Sequence, residues 1–269
     1  MNVTTVVIVT KPHQPDVAKV ATQLAAWFEG KGIRASMDPA SAERADLCVV
    51  VGGDGTLLAA ARLMGEHQVP ILAINYGGLG FLTEVTRDEM YPALEGVLAG
   101  KTATHSRMMM EISVDRDGKT VGAYQALNDA VIHKGTLARI IELEAHVDGQ
   151  YVSTFRSDGL ILSTPTGSTA YNVSAGGPIV HPTMAAIILT PISSHTLTNR
   201  PLVLPAECRI EVTLRSIPDE VYVTVDGQTG MKLEAQDRVT VCKSQRLVQL
   251  ITPAGKDFFD VLRDKLKWG

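Results

Sequence analysis

The feature that most constrains this chain is a strand-like run that stops on glycine. Leu47-Cys48-Val49-Val50-Val51 is continuous and apolar, and it meets Gly52-Gly53-Asp54-Gly55-Thr56 before an alanine- and leucine-rich segment of helical character. A buried strand that turns through glycines into a helix N-terminus directs backbone N–H groups at an anion. Glycine lets the backbone approach phosphate closely, where a Cβ would hold it off. Gly52, Gly53 and Thr56 therefore read as a phosphate loop. Asp54 is the odd member. A carboxylate beside phosphate is repulsive, so it needs a proton to accept or a metal to hold. Taken alone, Gly-Asp-Gly also suits a strand-to-helix turn with Asp54 as N-cap.

The residues around the loop set the fold. Thr4–Thr10 is β-branched and predicts a strand. Pro15-Asp16 suits a helix start, with Val17, Val20, Ala21, Leu24 and Phe28 at helical spacing and Gly30 and Gly32 ending it. Ile33–Met37 and Val69–Ile74 predict further strands, and the helix after the loop is expected from about Thr56 to Glu66. The second strand ends in another glycine-rich stretch, Asn75-Tyr76-Gly77-Gly78-Leu79-Gly80-Phe81-Leu82. Thr86-Arg87-Asp88-Glu89 has capping-box spacing and predicts a helix to about Leu98. Strands alternating with helices imply a mainly parallel sheet, with ligands at the carboxyl ends of its strands. Both glycine stretches lie at such ends.

After Gly100 the pattern alternates and is broken by Asp117-Gly118, Asp148-Gly149 and Asp226-Gly227, strong hairpin signals. The expected division is an α/β domain over 1–100, joined by 256–269, and a largely antiparallel β domain over 101–255. One helical interruption is expected near Gly167–Ser174. The tail returns to helical spacing through Phe259, Leu262 and Leu266.

Several function classes fall away. A formal charge of −4 with no dense basic stretch leaves no electrostatic footprint for nucleic acid. Cys48, Cys208 and Cys242 are widely spaced, which argues against a disulfide framework and a zinc site. The seven histidines show no metal-ligand spacing. No signal peptide or membrane-spanning run is evident, so the cytoplasm is the expected compartment. Gly100-Lys101-Thr102 and Gly118-Lys119-Thr120 lack the upstream glycine of a P-loop. Neither the G-x-G-x-x-G fingerprint nor G-x-S-x-G is present.

Three polar clusters remain. Asn128-Asp129 interrupts a run that would otherwise make one plain strand, as a bulge or turn would. Arg156-Ser157-Asp158-Gly159 precedes an apolar run, as a salt-bridged turn would. Thr164–Pro178 is dense in small hydroxyl residues and glycine around Tyr171. It offers N–H donors, hydroxyls and a stacking face, as a nucleotide or sugar site requires.

In order, Gly52-Gly53-Asp54-Gly55-Thr56, Asn75-x-Gly77-x-x-Gly80-Phe81-Leu82, Asn128-Asp129, Asp158-Gly159, Thr164–Tyr171, Gly176-Gly177-Pro178, Arg200-Pro201-Leu202 and Asp226-Gly227-Gln228 resemble the bacterial NAD kinase (ATP-NAD kinase) family. The first motif is shared with lipid kinases and 6-phosphofructokinases; the T-P-T-G-S-T-A-Y motif is far more specific. The resemblance implies a fold of α/β plus all-β class: a Rossmann-like N-terminal domain, a largely antiparallel β-sandwich second domain and a C-terminal helix returning to the first.

It also implies transfer of the ATP γ-phosphoryl to the 2′-hydroxyl of the NAD adenosine ribose, with Mg²⁺ or Mn²⁺. Asp54 would accept the proton, with Gly55 beside it. Asn128 and Asp129 would hold the ribose and adenine side; Asp129 stands where many members carry glutamate. Arg139, Arg156 and Asp158 would line the dinucleotide site, with Asp158 toward the nicotinamide amide. Thr169, Ala170, Tyr171, Asn172, Val173 and Ser174 would contact adenine, and Gln228 would complete the pocket. Metal ligands are not specified. The expected partners are NAD and ATP, without nucleic acid or membrane, in a homodimer or homotetramer. The competing readings are a lipid kinase of the diacylglycerol-kinase type, which leaves Thr164–Tyr171 unexplained, and a non-catalytic NAD(P)-binding sensor, which Asp54 opposes.

Overall fold

The computed structural model describes residues 2–11, 14–64, 67–77, 80–136, 139–196, 198–216, 220–252 and 257–268. The chain divides into two compact units, Met1–Arg107 with Arg246–Gly269, and Met108–Gln245.

The first unit opens with strand β1 (Thr5–Thr10), helix α1 (Pro15–Glu29), β2 (Arg34–Ser36), β3 (Leu47–Gly52), α2 (Asp54–Met64), β4 (Ile71–Asn75) and α3 (Met90–Leu98). The strands lie parallel in the order β2-β1-β3-β4. β3 and β4 are buried at every position, as their unbroken apolar sequence requires. Helix α1 has Pro15 at its start and buries Val17, Val20, Ala21, Leu24 and Phe28 against the sheet residues Val6, Ile8, Val49 and Val51. A short 3₁₀ turn at Pro39–Arg44, capped by Asp38, was not foreseen in the sequence. Gly65 and Glu66, at the expected end of α2, lie outside the described residues.

The Thr86 motif forms half a capping box. The Glu89 carboxylate accepts from the Thr86 backbone N–H at 2.9 Å, but the Thr86 hydroxyl donates to that carboxylate instead of capping the helix.

The second unit holds β5 (Ala103–Arg116, entering from the first unit), β6 (Lys119–Ala126), β7 (Asp129–Lys134), β8 (Ile141–Val147), β9 (Gln150–Ser157) and β10 (Gly159–Ser163). After the one-turn helix α4 (Tyr171–Ser174) come β11 (Ala186–Ile192), β12 (Leu202–Pro205), β13 (Ile210–Leu214), β14 (Val221–Val225), β15 (Thr229–Leu233) and β16 (Arg238–Thr252). One sheet runs β6-β5-β16-β13-β8-β9 and the other β12-β11-β10-β7-β14-β15. Their inner faces meet in one core, with Ile112, Leu143, Phe155 and Val212 from the first sheet and Ile132, Leu160, Leu189 and Val223 from the second.

Each Asp-Gly pair makes a hairpin turn with both residues left-handed. The φ values are 49° and 76° at Asp117-Gly118, 50° and 77° at Asp148-Gly149, and 51° and 63° at Asp226-Gly227. Such turns match the twist of the strands they join.

Strand β16 returns to the first unit, where Leu250 lies beside Ile71 of β4 in parallel register. Helix α5 (Phe258–Leu266) follows, and Asp257 and Asp260 form a reciprocal capping box at 2.8 and 3.0 Å. Lys256, in the expected tail helix, lies outside the described residues. The buried face also differs from the sequence reading. Val261 and Leu262 are buried and Phe258 half-buried, whereas Phe259 is 54% exposed. The stripe is therefore 258-261-262-265, and it brings the Lys265 ammonium 5.9 Å from the Phe81 ring.

Candidate functional site

In the first unit, the glycine turn sits at the carboxyl end of β3. Gly53 and Gly55 are exposed and Thr56 is buried against Gly52. Helix α2 starts on the turn, with the Gly53 carbonyl accepting from the Thr56 and Leu57 N–H groups. Asp54, half-buried, is the first helical residue, and its carboxylate reaches into the second glycine stretch. It accepts from the N–H groups of Phe81 (2.9 Å), Leu82 (3.2 Å) and Thr83 (3.2 Å) and from the Thr83 hydroxyl (3.0 Å). A Cβ on Gly80 would stand 2.0 Å from Asp54 Oδ1, so only glycine permits this approach. Thr83 is in turn held by Asn75, whose amide donates to its hydroxyl at 2.9 Å. Gly78 and Leu79 lie outside the described residues.

In the second unit, the site is built on the backbone of Leu127–Asp129. Here the chain leaves one sheet at the end of β6 and enters the other at β7, so the polar interruption is a turn between sheets. Two sequence motifs grip it from opposite sides. The Thr164 hydroxyl donates to the Leu127 carbonyl at 2.6 Å, and the Thr164 N–H donates to the Asn128 carbonyl at 2.8 Å. Gly167 packs so close that a Cβ would fall 2.1 Å from that carbonyl. From the hairpin after β14, the Asp226 carboxylate accepts from the N–H groups of Leu127 (3.1 Å), Asn128 (2.8 Å) and Asp129 (3.2 Å).

This backbone forms one wall of a cavity of about 750 Å³. Asn128, Asp129, Asp158, Ala170 and Tyr171 line it, as do Asp226 and Gly227. Asn128 Oδ1 is buried and has no hydrogen-bond partner among the described residues. An orphaned buried acceptor on a cavity wall is what a ligand donor would satisfy. The Asp129 carboxyl is pushed up to about 7, first by burial and then by the neighbouring Asp226 charge. Lys134 and Asp158 form an ion pair at 3.2 Å. Tyr171 is 46% exposed, and its ring is an accessible flat face on the lining.

The other residues named from the resemblance lie off this lining. Arg156 is exposed and paired with Glu142 at 3.3 Å, and Arg139 is exposed. Thr169 is buried, its hydroxyl donating to the Thr166 carbonyl. Asn172 is fully buried and fully engaged. Its amide donates to the Ser168 and Pro178 carbonyls at 3.0 and 2.9 Å, and its oxygen accepts from Thr190 at 2.6 Å. It ties the Thr164–Pro178 segment to β11. Val173 and Ser174 complete α4, and Gln228 is exposed beyond the hairpin turn. Asp226 received no role from the sequence, where it stood as a hairpin residue and as the first member of the Asp226-Gly227-Gln228 motif.

The comparisons agree with this architecture. The model of the ATP-NAD kinase N-terminal domain matches residues 13–102, and that of the C-terminal domain matches residues 127–252. An NAD kinase of Citrifermentans bemidjiense is 50% identical, with 98% of each chain covered. The crystal structure of yeast NADH kinase complexed with NADH superposes with a TM-score of 0.88 at 27% identity, covering 100% of this chain and 89% of that one. An NAD kinase from Archaeoglobus fulgidus in complex with ATP gives 0.78 at 25% identity, covering 98% of this chain and 100% of that one. Matched over both halves, and half-identical to a relative along nearly its whole length, the chain belongs to the ATP-NAD kinase family.

Proposed function

We propose that the chain transfers the γ-phosphoryl group of ATP to the 2′-hydroxyl of the adenosine ribose of NAD, giving NADP. The observation that carries the assignment of residues is the cavity wall at Asn128-Asp129. Its charged groups are Asp129, Asp158 and Asp226, and its ammonium, Lys134, is paired with Asp158. Such a lining repels phosphate and suits hydroxyls, an amide and a base. It therefore favours the nucleoside parts of the dinucleotide. Asp129, when ionised, accepts from a ribose hydroxyl, Asn128 Oδ1 accepts from a second donor, and the Tyr171 ring offers its face to a base.

The exposed glycines after β3 suit the donor phosphates, with Gly52, Gly53, Gly55 and Thr56 as the loop. Asp54 is the proton acceptor in this reading, released from part of its contact with Phe81–Thr83 when it acts. Among the described residues no three His, Cys, Asp or Glu side chains converge as a cation cage. A divalent ion carried by the ATP phosphates needs only one or two protein carboxylates, and Asp54 is the candidate within the loop. Bound there, Mg²⁺ or Mn²⁺ would neutralise phosphate charge during transfer. The division of labour proposed is donor phosphates on 1–100 and acceptor on 101–255. Three free thiols suit a reducing cytoplasm, and a homodimer or homotetramer is the assembly the family resemblance suggests.

The test is to incubate the protein with ATP, Mg²⁺ and NAD and to detect product with a dehydrogenase that accepts only NADP. NAD binding without product would leave a sensor; phosphorylation of diacylglycerol in place of NAD would leave a lipid kinase.

A further inference from the structure

The hairpin after β14 does more than reverse the chain. Asp226 is 7% exposed, yet both of its carboxylate oxygens accept backbone N–H bonds from Leu127–Asp129. Its own N–H donates to the Asp129 carbonyl at 2.9 Å, so the two residues are locked backbone to backbone. An asparagine could not replace it, because its NH₂ would face one of these donors. The result is two carboxyl groups on one cavity wall, and the Asp129 carboxyl takes no hydrogen bond from any described residue.

We infer that Asp226 is a positioning residue for the acceptor dinucleotide: it fixes the backbone that carries Asn128 and Asp129 and sets its own carboxylate beside that of Asp129 on the cavity wall. The inference rests on the proposed NAD site. Burial and the Asp226 charge hold the Asp129 carboxyl at about 7, so it is half ionised at neutral pH. The other titratable groups around it do not offset this. Lys134, on β7 with Asp129, is paired with Asp158 before β10, and His133 stacks on Tyr222 of β14 at 6.0 Å. Tyr171 enters the lining from α4.

The experiment is calorimetric titration of the full chain with NAD, without ATP, between pH 6 and pH 8. In the unmodified protein the Kd should fall about tenfold across this range as Asp129 ionises, the change expected for a group titrating at its midpoint. Asp226→Asn should weaken binding at pH 8 and move the inflection to lower pH, so that the change shrinks. Asp226→Glu keeps the charge and should keep the inflection near neutrality. A merely structural Asp226 would weaken binding equally at every pH, and that result overturns the proposal. Should Asp226→Asn fail to fold, Asp129→Asn decides: it should flatten the profile, and an undiminished tenfold change overturns the assignment. A flat profile in the unmodified protein overturns it as well. A tenfold, pH-dependent affinity without any NADP formed would instead refute the kinase reading and uphold this one.

Discussion

Replacing Asp54 by asparagine separates two roles that one carboxylate could serve. As a loop anchor, Asp54 accepts four hydrogen bonds, three at Oδ1 and one at Oδ2. Asparagine keeps an oxygen for the three, but its NH₂ would meet the Phe81 N–H donor to donor. One lost bond and one unsatisfied donor cost about 1–3 kcal/mol. In a chain of this size that lowers the melting temperature by a few degrees, at about 2–4 °C per kcal/mol. Even if all of it appeared in the barrier, at 1.36 kcal/mol per tenfold it would reduce kcat by about 5–160-fold. As a general base, Asp54 contributes roughly 10²–10⁴-fold. The assay is kcat for NADP formation beside a melting curve, with Thr83→Val as the companion variant. That variant removes a hydroxyl donor to Asp54 and leaves the carboxylate. Asp54→Asn should lose more than about 200-fold in kcat, beyond the structural ceiling, and Thr83→Val should lose stability with little loss of turnover. Near wild-type kcat in folded Asp54→Asn would refute the catalytic role. So would an equal loss in Thr83→Val, because the carboxylate would then act only through the loop.

Other substitutions probe the rest of the framework. Asn172→Ala leaves two carbonyls and a hydroxyl unpaired in a buried setting and should cost more than about 3 kcal/mol; an unchanged melting temperature with a raised KM for NAD would return Asn172 to the ligand. Leu262→Ala should destabilise the first unit by about 2–5 kcal/mol, read by denaturant unfolding, and a negligible effect would mean that α5 is not packed there. For Asp129 the folded value of about 7 lies above the ordinary aspartate value of 3.8, so the folded state holds a proton that the unfolded chain has released between those limits. Stability from this group is full below 3.8 and declines as pH rises to about 7, by up to about 4 kcal/mol. Asp129→Asn removes the titration, so its melting temperature should gain on that of the parent as pH rises from 4 to 7; a constant gap would show that Asp129 ionises freely.

The elements that were legible are those whose physics is local. A short, β-branched apolar run closed by glycine reads as a buried strand end, and β3 with its turn was visible for that reason. Left-handed Asp-Gly pairs announce hairpins whatever surrounds them, and all three formed. The face of α5 was misread because Phe259 and Phe258 are equally apolar neighbours, and only packing decides which one turns inward. The contacts of Asp54 were out of reach because its donors lie 27 to 29 residues away, and a carboxylate flanked by glycines carries no sign of which backbone it will meet.

The two copies of Val-Asp-Gly-Gln show the same limit most directly. Asp148 and Asp226 sit in identical tetrapeptides and both take left-handed backbone conformations. Asp148 accepts from the Arg209 N–H at 2.8 Å on an exposed surface, whereas Asp226 accepts from three N–H groups beneath a cavity. Turn chemistry alone does not separate them; the family resemblance does, because its Asp-Gly-Gln motif follows T-P-T-G, as Asp226 does and Asp148 does not. The structure supplies the physical reason for the difference. Asn128-Asp129, Thr164–Gly167 and Asp226 look like three independent motifs in the sequence, but they are the wall, the carbonyl clamp and the N–H clamp of one backbone segment. Losing either clamp leaves buried donors or acceptors of the wall unmet, so both clamps are needed to hold it.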